Sequence, residues 1–74
     1  MELRDILKKM MTRRKMTQAD VAEAAGFKNQ SNVSMILKSG NRMKIENLLR
    51  MTEALNCDLV IRDNESGELF AIEE

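Results

Sequence analysis

The chain lacks histidine, proline, tryptophan and tyrosine, and it has one cysteine and two phenylalanines among its 74 residues. One cysteine without histidine excludes a disulfide framework, a zinc ligand set and a Cys-His catalytic dyad. Such cysteine use is typical of a reducing compartment. Paired carboxylates in an apolar setting and a glycine-rich phosphate loop are also missing. We therefore expect no metal, no other cofactor and no enzymatic activity.

Long hydrophobic runs are absent because charged residues recur along the whole chain, and the N-terminus lacks the apolar region of a signal peptide. We expect a cytoplasmic protein without membrane contact. The length predicts one domain, and a chain this short buries only roughly 60% of its unfolded surface. Because such a core is marginal, we expect association with a second copy to add stability.

Positive and negative charges are divided unequally along the chain, although the net charge is zero. Residues 1–44 carry ten Lys or Arg against four acids, and residues 45–74 carry two against eight, which gives +6 and −6. A basic surface can therefore exist on a neutral protein. Local potential attracts phosphates, since salt screens interactions beyond ~8 Å. We interpret most of the Lys and Arg side chains of the first helix as a solvent-exposed face that does not contact phosphates.

The segment 17–40 has the pattern of two short helices around a tight turn. Thr17 is suited to cap the first helix, with Asp20 in the acidic position of a capping box. Gly26 is suited to the left-handed residue that ends it. The second helix, over residues 30–38, has hydrogen-bonding side chains on its outer face and an apolar stripe of Val33, Ile36 and Leu37. One face would pack, and the other would be free to read base edges.

Two further helices and a hairpin complete the predicted order. Apolar periodicity predicts a first helix that ends before Met16 and a fourth helix from Ile45 to Leu55, with Asn56 as its left-handed cap. A β-branched run, turn residues 64–67 and a second apolar run predict a β-hairpin with strands 58–62 and 69–72. We assign residues 1–56 to a DNA-binding unit and 57–74 to a hairpin of the same compact domain. The hairpin is apolar on both faces, so we expect something to cover it.

These residues in this order resemble the phage repressor/Cro family of helix-turn-helix proteins, of the XRE-like type, over residues 3–62. The resemblance rests on Thr17-Gln18, Val21-Ala22, Gly26, Val33-Ser34, Ile36, Gly40 and the helix Leu48 to Leu55. It implies a mainly α, four-helix repressor-like domain, here with a C-terminal hairpin. It also implies that helix 30–38 binds double-stranded DNA in the major groove.

The chain departs from the family pattern in two ways. The turn 27–29 and the loop 39–43 are each one residue longer than in typical members. Many members also have a buried Arg–Glu pair between helices one and three, where this chain has Met11 and Leu37. We predict that an apolar contact replaces that pair.

The predicted DNA contacts fall into two groups. The candidates for reading bases are Gln30, Ser31, Asn32 and Met35, because amides suit adenine and a methyl suits thymine. The candidates for phosphate contact or positioning are Gln18, Lys28, Asn29, Ser34, Lys38, Asn41, Arg42 and Lys44. The alternatives are N-capping by one of Gln30, Ser31 and Asn32, partial core packing of Met35, and a hydrogen bond from Ser34 back into its own helix. We expect Asn29 or Gln30 to start the helix and at least two of Gln30, Ser31 and Asn32 to face DNA.

We expect a homodimer that brings two recognition helices ~34 Å apart on a near-palindromic operator. The predicted dimer residues are Leu59, Val60, Ile61, Leu69, Phe70 and Ile72. The alternative is a hairpin folded back on helices one and four, with dimers forming only on DNA. We predict a transcriptional regulator acting as a repressor, and the alternative is an antitoxin that represses its own operon and binds a toxin protein. A third class, an interaction module without DNA binding, is disfavoured by Gln18, Gln30 and Asn32.

Overall fold

Four α-helices precede a two-stranded antiparallel hairpin in a computed structural model that describes residues 1–73. The elements are α1 Leu3–Arg14, α2 Gln18–Ala25, α3 Gln30–Ser39, a 3₁₀ turn Gly40–Arg42, α4 Ile45–Ala54, β1 Leu59–Arg62 and β2 Leu69–Ile72. The predicted mainly α fold with a C-terminal hairpin is confirmed, and β1 begins one residue later than expected. Residue 74, the last of the predicted hairpin segment 57–74, lies outside the described residues.

Three of these helices end in the same way, with a left-handed residue that lets the next N–H reach back to the last turn. The left-handed residues are Lys15, Gly26 and Asn56. The closing bonds run from Met16 N–H to Met11 O, Phe27 N–H to Ala22 O, and Cys57 N–H to Thr52 O, at 2.9, 2.9 and 2.8 Å. The predicted roles of Gly26 and Asn56 are thus confirmed. Each helix stops sharply because its last carbonyls are paired within the turn.

All four helices contribute to one apolar core. Its buried members are Leu7, Met11, Val21, Ala22, Val33, Ile36, Leu37, Leu48, Met51 and Leu55. Val21 and Val33 are completely buried, which stabilises the fold by about 1.5–3 kcal/mol each. Within this core, α2 packs against both α3 and α4. The packing therefore holds α2 and α3 in a fixed relative position. Met11 and Leu37 are both buried in this core, whereas their mutual contact stays a prediction.

Two side chains fix α1 at its two ends. At the start, the Asn41 Oδ1 accepts a hydrogen bond from the Leu3 N–H at 2.9 Å. At the end, the Arg14 Nε–H donates to the Leu55 carbonyl at 3.0 Å, and its Nη2 donates to the Asn56 carbonyl at 3.5 Å. A cation is well placed there, because the C-terminal carbonyls of a helix carry partial negative charge. Arg14 therefore joins α1 to the point where α4 ends and the hairpin starts.

The hairpin is closed by a turn of polar residues. The strands pair with Leu59 opposite Ile72 and Ile61 opposite Phe70. In the turn, Gly67 has a φ of 79°, a left-handed conformation that glycine adopts without strain. The Glu65 N–H donates to the Asp63 carboxylate at 2.9 Å. Because this bond favours the ionised form, it lowers the pKa of Asp63 below its ordinary value.

The outer part of the hairpin is exposed on both faces. One face carries Leu59, Ile61, Phe70 and Ile72, and the other carries Val60, Arg62, Leu69 and Ala71. Leu59 packs partly against the helical core, and with Ile72 and Leu49 of α4 it lines a groove at the hairpin's base. Further out, the side chains of Val60, Ile61, Leu69 and Phe70 are 44%, 61%, 60% and 51% exposed. The described residues leave this apolar surface uncovered.

Candidate nucleic-acid interface

The capping box predicted at the start of α2 is confirmed. The Thr17 Oγ1 accepts a hydrogen bond from the Asp20 N–H at 3.1 Å, and the Asp20 carboxylate accepts one from the Thr17 N–H at 2.8 Å. The pKa of Asp20 is lowered, mainly because the Thr17 backbone N–H donates to its carboxylate, and the Thr17 side chain adds to this effect. Gln18 follows as the first residue of the helix and is half-buried. Within residues 1–73 its amide makes no side-chain hydrogen bond, so the group remains available.

A second reciprocal cap starts α3. The Asn29 Oδ1 accepts a hydrogen bond from the Ser31 N–H at 3.0 Å, and the Asn32 Oδ1 accepts one from the Asn29 N–H at 3.3 Å. The Ser31 hydroxyl also donates to the Asn29 Oδ1. The helix start was predicted at Asn29 or Gln30, and the cap is Asn29. Ser31 and Asn32 are therefore partly engaged within the protein, while Gln30 is exposed.

The outer face of α3 presents three side chains on successive turns. Val33, Ile36 and Leu37 are buried, as their spacing predicted. On the opposite side, Ser31, Met35 and Lys38 are exposed. Met35 is 67% exposed, which contradicts the alternative that it packs partly into the core. Ser34 is half-buried beside this face.

This face has the chemistry that base edges require. A hydroxyl suits several base edges, a thioether methyl suits the thymine methyl, and an ammonium suits guanine. An α-helix also fits the width of a B-DNA major groove. The face can therefore approach base edges without moving any core residue. The individual reading roles stay predictions.

Cations surround α3 without carboxylate partners. Lys28, Lys38, Arg42 and Lys44 are all exposed. Among residues 1–73 the ion pairs involve Arg4 alone, with Glu2 at 3.8 Å and Asp5 at 3.9 Å. The charges that flank α3 are therefore not neutralised by neighbouring acids. Asn41 differs from them, since its amide oxygen already caps α1 and only its N–H₂ group remains for a phosphate.

The engagement of Asn32 in the cap is the main feature of this site that sequence reasoning missed. A capping box normally has Glu or Gln in the third helical position. Asn32 occupies that position, three residues after the capping Asn29, and serves the same purpose with a shorter side chain. The Asn-x-x-Asn spacing could have indicated this arrangement. Asn32 consequently has a structural role that is independent of DNA.

The comparisons agree with this geometry. A family model described as helix-turn-helix matches residues 7–61, which is most of the chain. The chain therefore belongs to the XRE-type helix-turn-helix family, as the resemblance to phage repressors and Cro predicted. It is a DNA-binding transcription regulator, of a family that is typically non-enzymatic. A search of curated proteins and a search of solved structures found no match.

Within residues 1–73, every helix is too short or too polar to cross a lipid bilayer.

Proposed function

We propose that the chain binds a near-palindromic operator as a homodimer, reads the major groove with α3, and represses transcription at that site. The observation that carries this proposal is the exposed face of Ser31, Met35 and Lys38, together with the unpaired cations around it. Such a face has no packing role in the monomer. It matches what a recognition helix needs, namely base-reading side chains at the centre and phosphate-binding side chains at the rim.

In this proposal, base reading and positioning belong to different residues. Gln30 is the clearest base reader, since it is exposed and has no side-chain hydrogen bond within residues 1–73. Met35 contributes an apolar contact, and Ser31 retains an acceptor oxygen after donating to Asn29. Asn32 reads through its N–H₂ group while its oxygen holds the cap. Gln18 and the cations around α3 contact phosphates, which sets the register but carries no sequence information.

The hairpin provides the dimer interface in this proposal. Its exposed apolar side chains are Val60, Ile61, Leu69 and Phe70. A soluble monomer rarely combines such a surface with open strand edges, because both promote association. Pairing of two hairpins would cover one strand edge of each and part of this surface, and it would join two recognition helices in one symmetric unit. A symmetric protein of this kind requires a symmetric site.

Selection of bound duplexes from a random pool tests the proposal. We expect a palindromic consensus whose half-sites lie about 10 base pairs apart, centre to centre. A reporter with the selected sequence placed across its promoter should then be transcribed less when the chain is present. Enrichment of no sequence, or of a single asymmetric half-site, would contradict the proposed dimeric reading. Increased reporter transcription would contradict repression alone.

An antitoxin is the second candidate, and one observation favours it. The hairpin combines exposed apolar side chains with the acids Asp58, Asp63, Glu65, Glu68 and Glu73, so its surface suits a basic protein partner. A toxin encoded beside this chain would be recovered with it in equal amounts on affinity purification. Recovery of the chain alone from cells that express the neighbouring genes would count against this function.

A further inference from the structure

The free edge of β1 has a definite pattern of backbone groups. Arg62 lies opposite Leu69, and the Asp63 N–H donates to the Glu68 carbonyl at 2.9 Å. In an antiparallel pair, residues alternately direct their N–H and C=O toward the partner strand and away from it. Asp63 and Ile61 therefore face β2. Asp58, Val60 and Arg62 direct their backbone groups to the open edge.

We propose that β1 of a second copy pairs antiparallel with this edge, with Val60 opposite Val60 on the two-fold axis. The proposal deepens the homodimer of the proposed function and rests on it. In this register Asp58 lies opposite Arg62 of the partner subunit, and the same pair recurs on the other side of the axis. All outward backbone groups of Asp58, Val60 and Arg62 are then hydrogen-bonded. A shift of two residues in either direction leaves some of them unpaired.

The side-chain charges favour the same register. Arg62 is the single cation between residues 51 and 74, and Asp58 precedes it by four residues. Pairing about Val60 brings each Arg62 to a carboxylate and each Asp58 to a guanidinium. Opposite charges directly across a sheet stabilise the pairing, and like charges destabilise it. The backbone pattern and the charge pattern therefore specify one arrangement independently.

The edge of β2 is a poorer surface for self-pairing. β2 is flanked by Glu68 and Glu73 and contains no cation. By the same alternation, Leu69, Ala71 and Glu73 direct their backbone groups to the open edge of β2, so antiparallel pairing about Ala71 would place Leu69 opposite Glu73 of the partner subunit. That register contains no attractive charge pair, and it gathers the acids Glu68 and Glu73 of both copies at one interface. The charges thus direct the second copy to β1 rather than β2.

Pairing through β1 also extends the apolar surface at the base of the hairpin. In the proposed register, Ile61 lies opposite Leu59 of the partner subunit. Leu59 packs partly against the helical core, whereas Ile61 is 61% exposed in the single chain. The dimer would therefore place an exposed side chain beside a half-buried one. It would also join two hairpins into a four-stranded sheet with the β1 edges covered.

Charge exchange tests this register. The variants Asp58→Arg and Arg62→Asp each replace two attractive pairs of the homodimer by two repulsive ones. We expect each dissociation constant to rise about tenfold or more, from sedimentation velocity over a concentration series. Mixing the two variants should produce a heterodimer as tight as wild type, visible by native mass spectrometry because the subunit masses differ. The double variant Asp58→Arg/Arg62→Asp should form homodimers again.

Glu68→Arg is the matched control, since it makes the same kind of charge change at β2 and should leave the dimer as tight as wild type. Far-UV circular dichroism establishes that every variant is folded. A wild-type dimer whose Asp58→Arg and Arg62→Asp variants dimerise equally well would overturn the β1 register and leave the homodimer intact. A tighter Glu68→Arg dimer would assign the interface to β2. A wild-type chain that is monomeric at ~100 µM, a concentration at which even weak dimers form, would overturn the homodimer together with its register.

Discussion

The helical body, residues 3–55, and the hairpin, residues 59–72, differ in where their apolar side chains lie. In the body, nine apolar residues from the four helices and Leu55, the residue after α4, form a buried core. In the hairpin, four large apolar residues remain more than 40% exposed. The body buries most of its large apolar side chains in one core, whereas the hairpin pairs its two strands but leaves its outer apolar faces and strand edges open. From this difference we propose that folding and DNA reading belong to the body and that assembly belongs to the hairpin.

One matched pair of substitutions gives the largest expected contrast between the two regions. Met11→Arg puts a charge without a partner into the core, and we expect a loss of about 3–5 kcal/mol in the free energy of unfolding. Ile61→Arg makes a similar change at an exposed position, and we expect a change within about 0.5 kcal/mol. Urea denaturation measures both. Both are made in a Val60→Lys chain, in which loss of the dimer cannot enter the unfolding free energy.

The same core position tests the predicted contact between α1 and α3. Adding Leu37→Glu to Met11→Arg should recover much of the lost stability, because a buried pair replaces a lone charge. The measure is the coupling free energy of a double-mutant cycle. A coupling of zero would mean that the side chains at positions 11 and 37 do not meet.

Substitutions on the recognition helix should change DNA binding and leave assembly untouched. We expect Gln30→Ala to cost about 1–3 kcal/mol on the selected operator and much less on random DNA. Arg42→Ala should weaken binding to all sequences alike and lower the salt slope by about one, because one phosphate contact is lost. Equal losses for Gln30→Ala on both kinds of DNA would remove this residue from base reading. An unchanged slope would do the same for Arg42 and phosphate.

The smallest expected effect concerns the joint between the two regions. Arg14→Gln removes the charged donor that reaches the Leu55 carbonyl, and we expect a loss of about 1 kcal/mol in stability. Arg13→Gln is the control, since Arg13 is exposed, carries the same charge and makes no such bond within residues 1–73. Thermal unfolding of the two variants gives the comparison. Identical midpoints would show that the bond contributes nothing.

Features set by neighbouring residues could be predicted from the sequence, and features set by distant ones could not. The caps at Thr17, Gly26 and Asn56 were predictable because each depends on residues within one helical turn. The hairpin followed from two apolar runs around a turn. By contrast, Arg14 and Asn41 bond to residues 41 and 38 positions away, and no local pattern encodes such partners.

The residue types on the outer face of the candidate site could be predicted from the sequence, but the hydrogen bonds that some of them make could not. The apolar stripe of α3 defined the outer face, so Ser31, Met35 and Lys38 could be placed there by elimination. The periodicity could not show that Ser31 and Asn32 also bond to the capping Asn29. Side-chain amides serve equally well as caps and as base readers. Spacing alone therefore does not separate the two roles. Substitution of Gln30 tests base reading without removing a cap, because Gln30 is exposed and makes no side-chain hydrogen bond within residues 1–73.

The division between body and hairpin is tested most directly by titrating wild type and Val60→Lys on duplexes with one or two selected half-sites. Val60 is exposed, and in the proposed register the new lysines would face each other across the two-fold axis. We expect wild type and Val60→Lys to bind the single half-site with equal affinity, because the recognition helix is unchanged. On the palindrome we expect the variant to lose at least tenfold in affinity. A Val60→Lys chain that binds the palindrome as tightly as wild type would contradict the assignment of assembly to the hairpin.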